Sequence, residues 1–148
     1  MNGLFDAETL QLLGETKEVR IETRRDEDAP VHRTIIWVVT VDGEVYVRSV
    51  RGEKGRWYRE VSANPYAALH FGDRRIPVRA VPVRGEPTVG AVSEAYRDKY
   101  GRTSPGSTRA MLQPETLPTT LKLGGGVFVS ETNVAGLNLR PKKAAGSS

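Results

Sequence analysis

Charged and apolar residues alternate near the start of the chain in the manner of a β-strand. From Lys17 to Arg24, charged residues alternate with Val, Ile and Thr, which is typical of a strand with one buried and one solvated face. The largely β-branched run from Val31 to Val41 predicts a central strand that is buried on both faces. Asp42-Gly43 is a strong hairpin signal and predicts a return into a strand from Glu44 to Ser49.

The rest of the chain predicts more strands and a few helices. Asp6 is the expected N-cap of a first helix that Gly14 ends, and apolar residues three and four apart predict a helix from Thr88 to Tyr100. A loop leading into a short helix is expected over Gly52–Ala63, and a further helical turn over Ser107–Gln113. Additional strands are expected over Tyr66–Gly72, Arg75–Val83 and Thr116–Leu123.

These elements predict a mainly β (α+β) fold: an antiparallel, closed or split β-barrel of six to seven strands with two to three flanking helices. Strands do not alternate regularly with helices, so a parallel sheet is not expected. Residues 1–123 are expected to form one domain. Residues 124–148 are a glycine-rich extension, with Val127–Val129 as a candidate edge strand and the last ten residues as a candidate disordered tail.

The composition excludes several kinds of chemistry. The 148 residues include no cysteine and two histidines, so thiol nucleophiles, thiolate zinc sites and multi-histidine metal sites are excluded. The N-terminus does not resemble a secretory signal, and no apolar run approaches the ~20 residues that span a bilayer, so a cytoplasmic protein is expected. A net charge of +4 is small for a nucleic-acid-binding protein of this length.

Most of the chemistry that the sequence offers lies between Tyr46 and Arg59. This stretch has five basic residues and one acid, so its local charge equals the net charge of the whole chain. Glycines at 52 and 55 precede the predicted helix, where backbone amides and cations favour a phosphate group. Ser49 could donate a hydroxyl, Arg48 or Arg56 could pair with the phosphate, and Trp57 and Tyr58 could flank a planar ring. The alternative interpretation is an exposed, charged loop whose aromatic residues pack under the helix.

The same residues resemble a known class of protein. Tyr46-Val-Arg-Ser, Gly52 and Trp57-Tyr-Arg-Glu-Val-Ser-Ala-Asn-Pro65 resemble the deazaflavin-dependent nitroreductase type of the FMN-binding split β-barrel superfamily. The following segments, Tyr66–Phe71, Arg75–Val83 and Ala91–Gly101, resemble an uncharacterised family of that superfamily, DUF2255. The resemblance covers roughly Val19 to Leu123. A proline-rich approach to the Trp-Tyr pair, usual in the nitroreductases, is replaced here by Gly-Glu-Lys-Gly-Arg.

The resemblance implies a split barrel, usually dimeric, that binds FMN or the deazaflavin F420 in a groove. By position it implies a phosphate-side set and a ring-side set of cofactor-binding residues. The phosphate-side set is Ser49, Gly52, Lys54, Arg56, Trp57 and Tyr58, and the ring-side set is Thr34, Ile36 and Arg48. It leaves FMN and F420 as alternative cofactors.

Three functional hypotheses follow. The first is an oxidoreductase whose cofactor transfers hydride to or from a small organic substrate, with Tyr58 or His32 as candidate proton donors. The second is a split barrel that binds a ligand or cofactor without turnover. The third is a single-stranded nucleic-acid surface on the basic, aromatic loop, which would bind with a steep salt dependence.

Overall fold

A computed structural model describes residues 5–125, which form one curled antiparallel sheet of seven strands with helices packed against it. The strands run in the order β2-β1-β5-β6-β7-β4-β3 across the sheet. Their bounds are β1 Val19–Thr23, β2 His32–Ile36, β3 Val38–Val41, β4 Glu44–Val47, β5 Tyr66–Phe71, β6 Arg74–Pro82 and β7 Leu121–Gly125. The prediction of an antiparallel split β-barrel is confirmed.

The run from Val31 to Val41 differs from its prediction. It is divided at Trp37 into β2 and β3, which lie at opposite edges of the sheet. The prediction of one central strand was therefore wrong, because this segment carries the chain from one edge of the curled sheet to the other. Ile35 on β2 is 54% exposed, as an edge position permits.

Four α-helices lie in the described part of the chain, one more than the upper number expected. They are α1 Ala7–Glu15, α2 Arg56–Ala63, α3 Thr88–Tyr100 and α4 Pro105–Ala110. Asp6 caps α1 as predicted, since its Oδ1 accepts from the Thr9 amide at 2.8 Å. The predicted Gly52–Ala63 segment is a 3₁₀ turn at Gly52–Lys54 followed by α2. The candidate strand at Val127–Val129 and the candidate tail lie outside the described residues.

Alternation along β4 sends side chains into two separate hydrophobic clusters. Val19 and Ile21 of β1, with Val45 and Val47 of β4, belong to the cluster inside the barrel. Tyr46, from the opposite face of β4, belongs to a second cluster with Tyr96 and the rest of the buried face of α3. No helix within residues 5–125 is long and apolar enough to cross a membrane.

Candidate functional site

The turn after β4 is held by its own hydrogen bonds. Ser49 is 1% exposed, and its hydroxyl donates to the Gly52 carbonyl at 2.7 Å. The Ser49 amide donates to Thr119 Oγ1 at 3.0 Å, and the Gly52 amide donates to the Ser49 carbonyl at 2.9 Å. The Ser49 hydroxyl and the amides of Gly52 and Gly55, which were predicted to face a phosphate, are therefore engaged within the fold.

Both glycines of this turn are required by close packing. Gly52 has φ +68°, and a Cβ there would lie 3.1 Å from the Glu115 carbonyl oxygen. Gly55 has an ordinary φ of −62°, but a Cβ there would lie 2.5 Å from Ser49 Oγ. The sequence analysis attributed these glycines to ligand approach, whereas the structure shows that each one makes room for a neighbouring part of the chain.

A cavity of about 290 Å³ lies beside the end of β4, and we call it the Arg48 cavity. Its lining comes from β2, from the turn after β4, from α2 and from α4 with the residues around it. The lining residues are Glu18, Ile35, Ile36, Trp37, Arg48, Val50, Trp57, Ser107 and Met111. Ile35 and Val50 are about half exposed, at 54% and 51%, so the cavity reaches the surface between them.

Arg48 is a buried guanidinium held by neutral acceptors. It is 1% exposed and donates from Nε to Thr120 Oγ1 at 2.8 Å. Nη1 donates to Ser93 Oγ at 2.9 Å and to the Met111 carbonyl at 3.1 Å, while Nη2 donates to the Val89 carbonyl at 2.9 Å. Four of its five N–H groups are thereby used, which leaves one on Nη2.

No carboxylate among residues 5–125 lies within 4.0 Å of the Arg48 guanidinium. Burial lowers the pKa of Arg48 from its ordinary value, and interactions with Tyr96 and Glu86 partly oppose this shift. The Arg48 charge also faces the Tyr96 ring, whose centroid lies 5.6 Å from Cζ. The cavity wall therefore carries the desolvated charge of Arg48, which favours an anionic group on a ligand, together with the exposed carboxylate of Glu18.

Aromatic residues form the second feature of the Arg48 cavity. The Trp37 ring stacks on Tyr100 with centroids 3.9 Å apart and planes 4° apart. Because Tyr100 covers one face of Trp37, the remaining face or edge of Trp37 lines the cavity. Trp57, which is 6% exposed, forms another part of the wall and contacts Tyr58 edge to face. A planar ligand would thus meet indole groups that are already fixed in position.

The structure divides the predicted site residues into groups. Ile36, Arg48 and Trp57 line the Arg48 cavity together. Arg56 and His32 line a different pocket of about 400 Å³, which we call the cationic pocket. The full lining of the cationic pocket is Arg25, Ala29, Pro30, His32, Arg56, Arg59 and Glu60.

The other predicted residues line neither space. Lys54 is exposed, Tyr58 is half-buried against Trp57, and Ser49 and Gly52 form the turn described above. The Thr34 hydroxyl is buried in β2 and has no hydrogen-bond partner among the described residues.

Several lining residues were absent from the sequence-based sets. Val50, Ser107 and Met111 come from the far side of the turn and from the segment around α4, and no periodic pattern joins them to β4. Arg59 lies three residues after Arg56 in α2, so the helical repeat could have placed both on one face. Arg25 was not among the predicted site residues.

This curled antiparallel sheet with a cavity at its rim is the split β-barrel class of fold. Within that class the chain belongs to DUF2255, described as an uncharacterised protein family conserved in bacteria, whose family model matches residues 9–123. The suggested family is thus confirmed. No curated protein matches the sequence.

Solved structures with the same fold carry different described functions. An F420-H2-dependent reductase is 16% identical, with a TM-score of 0.54, over 72% of this chain and 92% of that chain. The haem storage protein HutZ from Vibrio cholerae is 13% identical, with a TM-score of 0.59, over 81% and 89%. A protein described as a domain-swapped dimer is 16% identical, with a TM-score of 0.56, over 74% and 81%. At these identities the likeness establishes the fold alone.

Proposed function

We propose that the protein is an oxidoreductase that binds FMN or F420, with the cofactor's ring in the Arg48 cavity. The observation that supports this most is the combination, in one cavity, of the buried Arg48 guanidinium and the fixed Trp37 ring. A bound flavin or deazaflavin would supply the hydride chemistry. The chain would supply binding, orientation and exclusion of water.

The size and lining of the cavity fit a ring system. Pockets for drug-sized ligands measure about 300–1,000 Å³, so the roughly 290 Å³ here suits a ring rather than a whole cofactor. The ribityl or equivalent chain would leave between Val50 and Ile35, where the wall is half exposed. From there Lys54 and Arg56, both exposed on the surface beyond the turn, would contribute positive charge toward the phosphate.

Arg48 has the properties needed to stabilise negative charge on the ring. Its remaining N–H group and its desolvated charge favour the more negative state of a bound ring system. Charge near the ring nitrogens of a flavin or deazaflavin tunes the hydride chemistry of that ring. The four hydrogen bonds to Thr120, Ser93, Met111 and Val89 fix the guanidinium, so little reorganisation is needed on binding.

The haem description of HutZ raises haem as a second ligand for this fold, and the cavity does not favour it. Haem iron is usually held by a histidine, cysteine, methionine or tyrosine side chain. Met111 is the lining residue of that kind, while His32 and His70 each contact a glutamate away from the cavity. The chemistry of the lining therefore fits a flavin-type ring better than a haem.

Titration with each cofactor tests the proposal. FMN and F420 should each be added to the purified protein while tryptophan and cofactor fluorescence are followed, because Trp37 and Trp57 line the cavity. Val50→Trp should block the cavity and weaken binding by at least tenfold. Val31→Trp is the matched control, since Val31 is 48% exposed but lines a different pocket. Equal binding by both variants, or no saturable binding of either cofactor, would refute this placement.

Turnover separates the enzyme from a non-catalytic carrier. With a reduced cofactor and a nitroaromatic or quinone dye, an enzyme should exceed the rate of the cofactor alone. Tight binding without a gain in rate would favour the alternative function, a split barrel that binds a ligand without reaction.

We also propose a homodimer, which the similar domain-swapped structure supports. Ile35 and Val50 place two half-exposed apolar side chains at the cavity mouth, where a second copy would cover them. Sedimentation velocity of the wild type and of an Ile35→Lys variant tests this. A monomer in both cases would contradict the proposal.

A further inference from the structure

The cationic pocket collects arginines from two separate elements. Arg25 belongs to the loop between β1 and β2, whereas Arg56 and Arg59 lie one turn apart on α2. The pocket is about 400 Å³, and its lining has no residue in common with that of the Arg48 cavity. Three guanidinium groups thus surround a space that the proposed ring site does not include.

The carboxylate in this lining does not neutralise the arginines. Glu60 Oε1 accepts from Thr23 Oγ1 at 2.6 Å, and Glu60 Oε2 contacts His32 Nδ1 at 2.8 Å. Within residues 5–125 no carboxylate lies within 4.0 Å of the guanidinium groups of Arg25, Arg56 or Arg59. Glu60 therefore fixes the His32 ring in the wall and leaves the arginines available for a ligand.

The acidic residues Asp26 and Glu27, next to Arg25 in the same loop, also have other surroundings. In the same loop the Asp28 amide donates to Asp26 Oδ1 at 2.9 Å, and Glu27 lines a different pocket. The arrangement leaves the lining with three arginines against one glutamate.

The start of α2 adds a second reason to expect an anion. Its N-cap, Gly55, provides no side-chain hydrogen bond, its first turn contains no acid, and Arg56 occupies the first helical position. The helix dipole disfavours a cation there, and a bound anion reverses the sign of that interaction. A bound negative group would thus remove an unfavourable interaction between Arg56 and the helix dipole.

We propose that the cationic pocket is a binding site for a phosphate-type oxyanion. Arg25, Arg56 and Arg59 bind its oxygens, and Glu60 holds His32 beside it. Planar guanidinium groups suit such oxygens because they donate two parallel hydrogen bonds. The phosphate is either free, on a small metabolite, or part of the ligand in the Arg48 cavity. The inference does not rest on the proposed function, because it requires only the pocket and its charges.

Inorganic phosphate is the probe, and the two histidines report its location. Phosphate should be titrated into the full-length protein at constant pH and ionic strength while the imidazole ¹H–¹³C signals are followed. The signals of His32 should shift and saturate, whereas those of His70, which contacts Glu22 on another part of the sheet, should stay in place. A linear, non-saturating shift of both histidines would overturn the proposal.

Charge-matched variants separate the pocket from general positive charge. Arg56→Gln and Arg59→Gln should each weaken phosphate binding about tenfold or more, the loss expected for one charged hydrogen-bond partner. Arg102→Gln removes the same charge from the exposed turn after α3, outside the pocket, and should change binding less than twofold. Equal losses in all three variants would overturn the proposal in favour of a diffuse charge effect.

Comparison of FMN with riboflavin identifies the source of the phosphate. If the pocket holds the cofactor's phosphate, FMN should bind more tightly than riboflavin, free phosphate should compete with FMN, and Arg59→Gln should abolish the difference. If the phosphate is free or belongs to another metabolite, FMN and phosphate should bind together. Both outcomes support the site. If neither flavin binds, the histidine signals still test the site with phosphate alone.

Discussion

Replacing Gly55 by alanine tests whether the Ser49 hydroxyl belongs to the fold rather than to a ligand. The backbone of Gly55, at φ −62° and ψ 136°, is open to alanine, so the substitution introduces no backbone strain. The new Cβ would lie 2.5 Å from Ser49 Oγ, closer than real Cβ contacts. Since Ser49 is 1% exposed, its hydroxyl can move only by giving up the 2.7 Å bond to Gly52.

The expected cost can be worked out from these contacts. Overpacking costs ~1–3 kcal/mol and the lost hydrogen bond ~1 kcal/mol. Alanine has a smaller unfolded-state entropy than glycine, which stabilises the folded state by ~0.4–1 kcal/mol. Gly55→Ala should therefore lower the free energy of unfolding by about 1–3.5 kcal/mol. Ser49→Ala alone should cost about 1 kcal/mol, because the Gly52 carbonyl still accepts from the Gly55 amide at 3.2 Å.

The double variant provides the decisive measurement. Without the Ser49 hydroxyl the alanine at 55 meets no clash, and the lost hydrogen bond is counted once, so the double variant should be more stable than the sum of the two losses by about 2–4 kcal/mol. Urea unfolding followed by tryptophan fluorescence gives each value, provided that the m-value stays constant. Ser62→Ala is the matched control, since its exposed hydroxyl donates to the Tyr58 carbonyl at 2.8 Å in α2. Losses that add within ~0.5 kcal/mol for the Ser49 pair would refute the reasoning.

Three further predictions concern buried charge. Arg48→Met should lower the free energy of unfolding by ~3–5 kcal/mol in urea titration, because its hydrogen-bonded acceptors lose a charged donor; a loss under 1 kcal/mol would contradict the network. Arg75 holds the pKa of Glu22 at about 2, so stability present above pH 4.5 should fall as the pH drops from 4.5 to 2. Because Arg75 is 55% exposed, solvent screens the pair, and the drop in the free energy of unfolding should be ~1–2 kcal/mol. This drop should vanish in Glu22→Gln. Burial lowers the pKa of Lys99 to about 8 from 10.5, so stability should rise with pH between those values relative to Lys99→Met; equal pH profiles would contradict it.

The features that the sequence predicted best are those set by local chemistry. The Thr88–Tyr100 helix has the predicted bounds, because its period is regular and Gly101 follows it. The Asp42-Gly43 turn is also confirmed, with φ of 51° and 81°, which few other residue pairs adopt easily. Neither element depends on distant parts of the chain.

The division at Trp37 could not be predicted from its neighbours. No glycine or proline interrupts the run from Val31 to Val41, so its local preference is for one long strand. The bend arises because β2 pairs with β1 at one edge while β3 pairs with β4 at the other. That requirement belongs to the closure of the sheet, which no short stretch of sequence encodes.

The candidate site shows the same limit at the level of side chains. Arg48 was expected near a ring and does line the cavity, but its four acceptors come from Val89, Ser93, Met111 and Thr120, which are remote in sequence. Ser49, its immediate neighbour, was expected at a phosphate, yet its hydroxyl closes the local turn. Composition therefore identified the right stretch of chain, while tertiary contacts decided which of its polar groups remain free.

The two spaces differ in how exposed their positive charge is, and this difference gives the two proposed sites separate roles. Arg48 is desolvated and rigid, so its attraction for an anionic group acts at short range and is little screened by salt. Arg25, Arg56 and Arg59 are exposed, so their field extends into solvent and weakens as ionic strength rises. A ligand with a charged tail would thus be attracted first by the cationic pocket, and its ring would gain its specific contacts in the Arg48 cavity. The order follows from the placement of the charges alone, since long-range attraction requires exposed groups and discrimination requires buried ones.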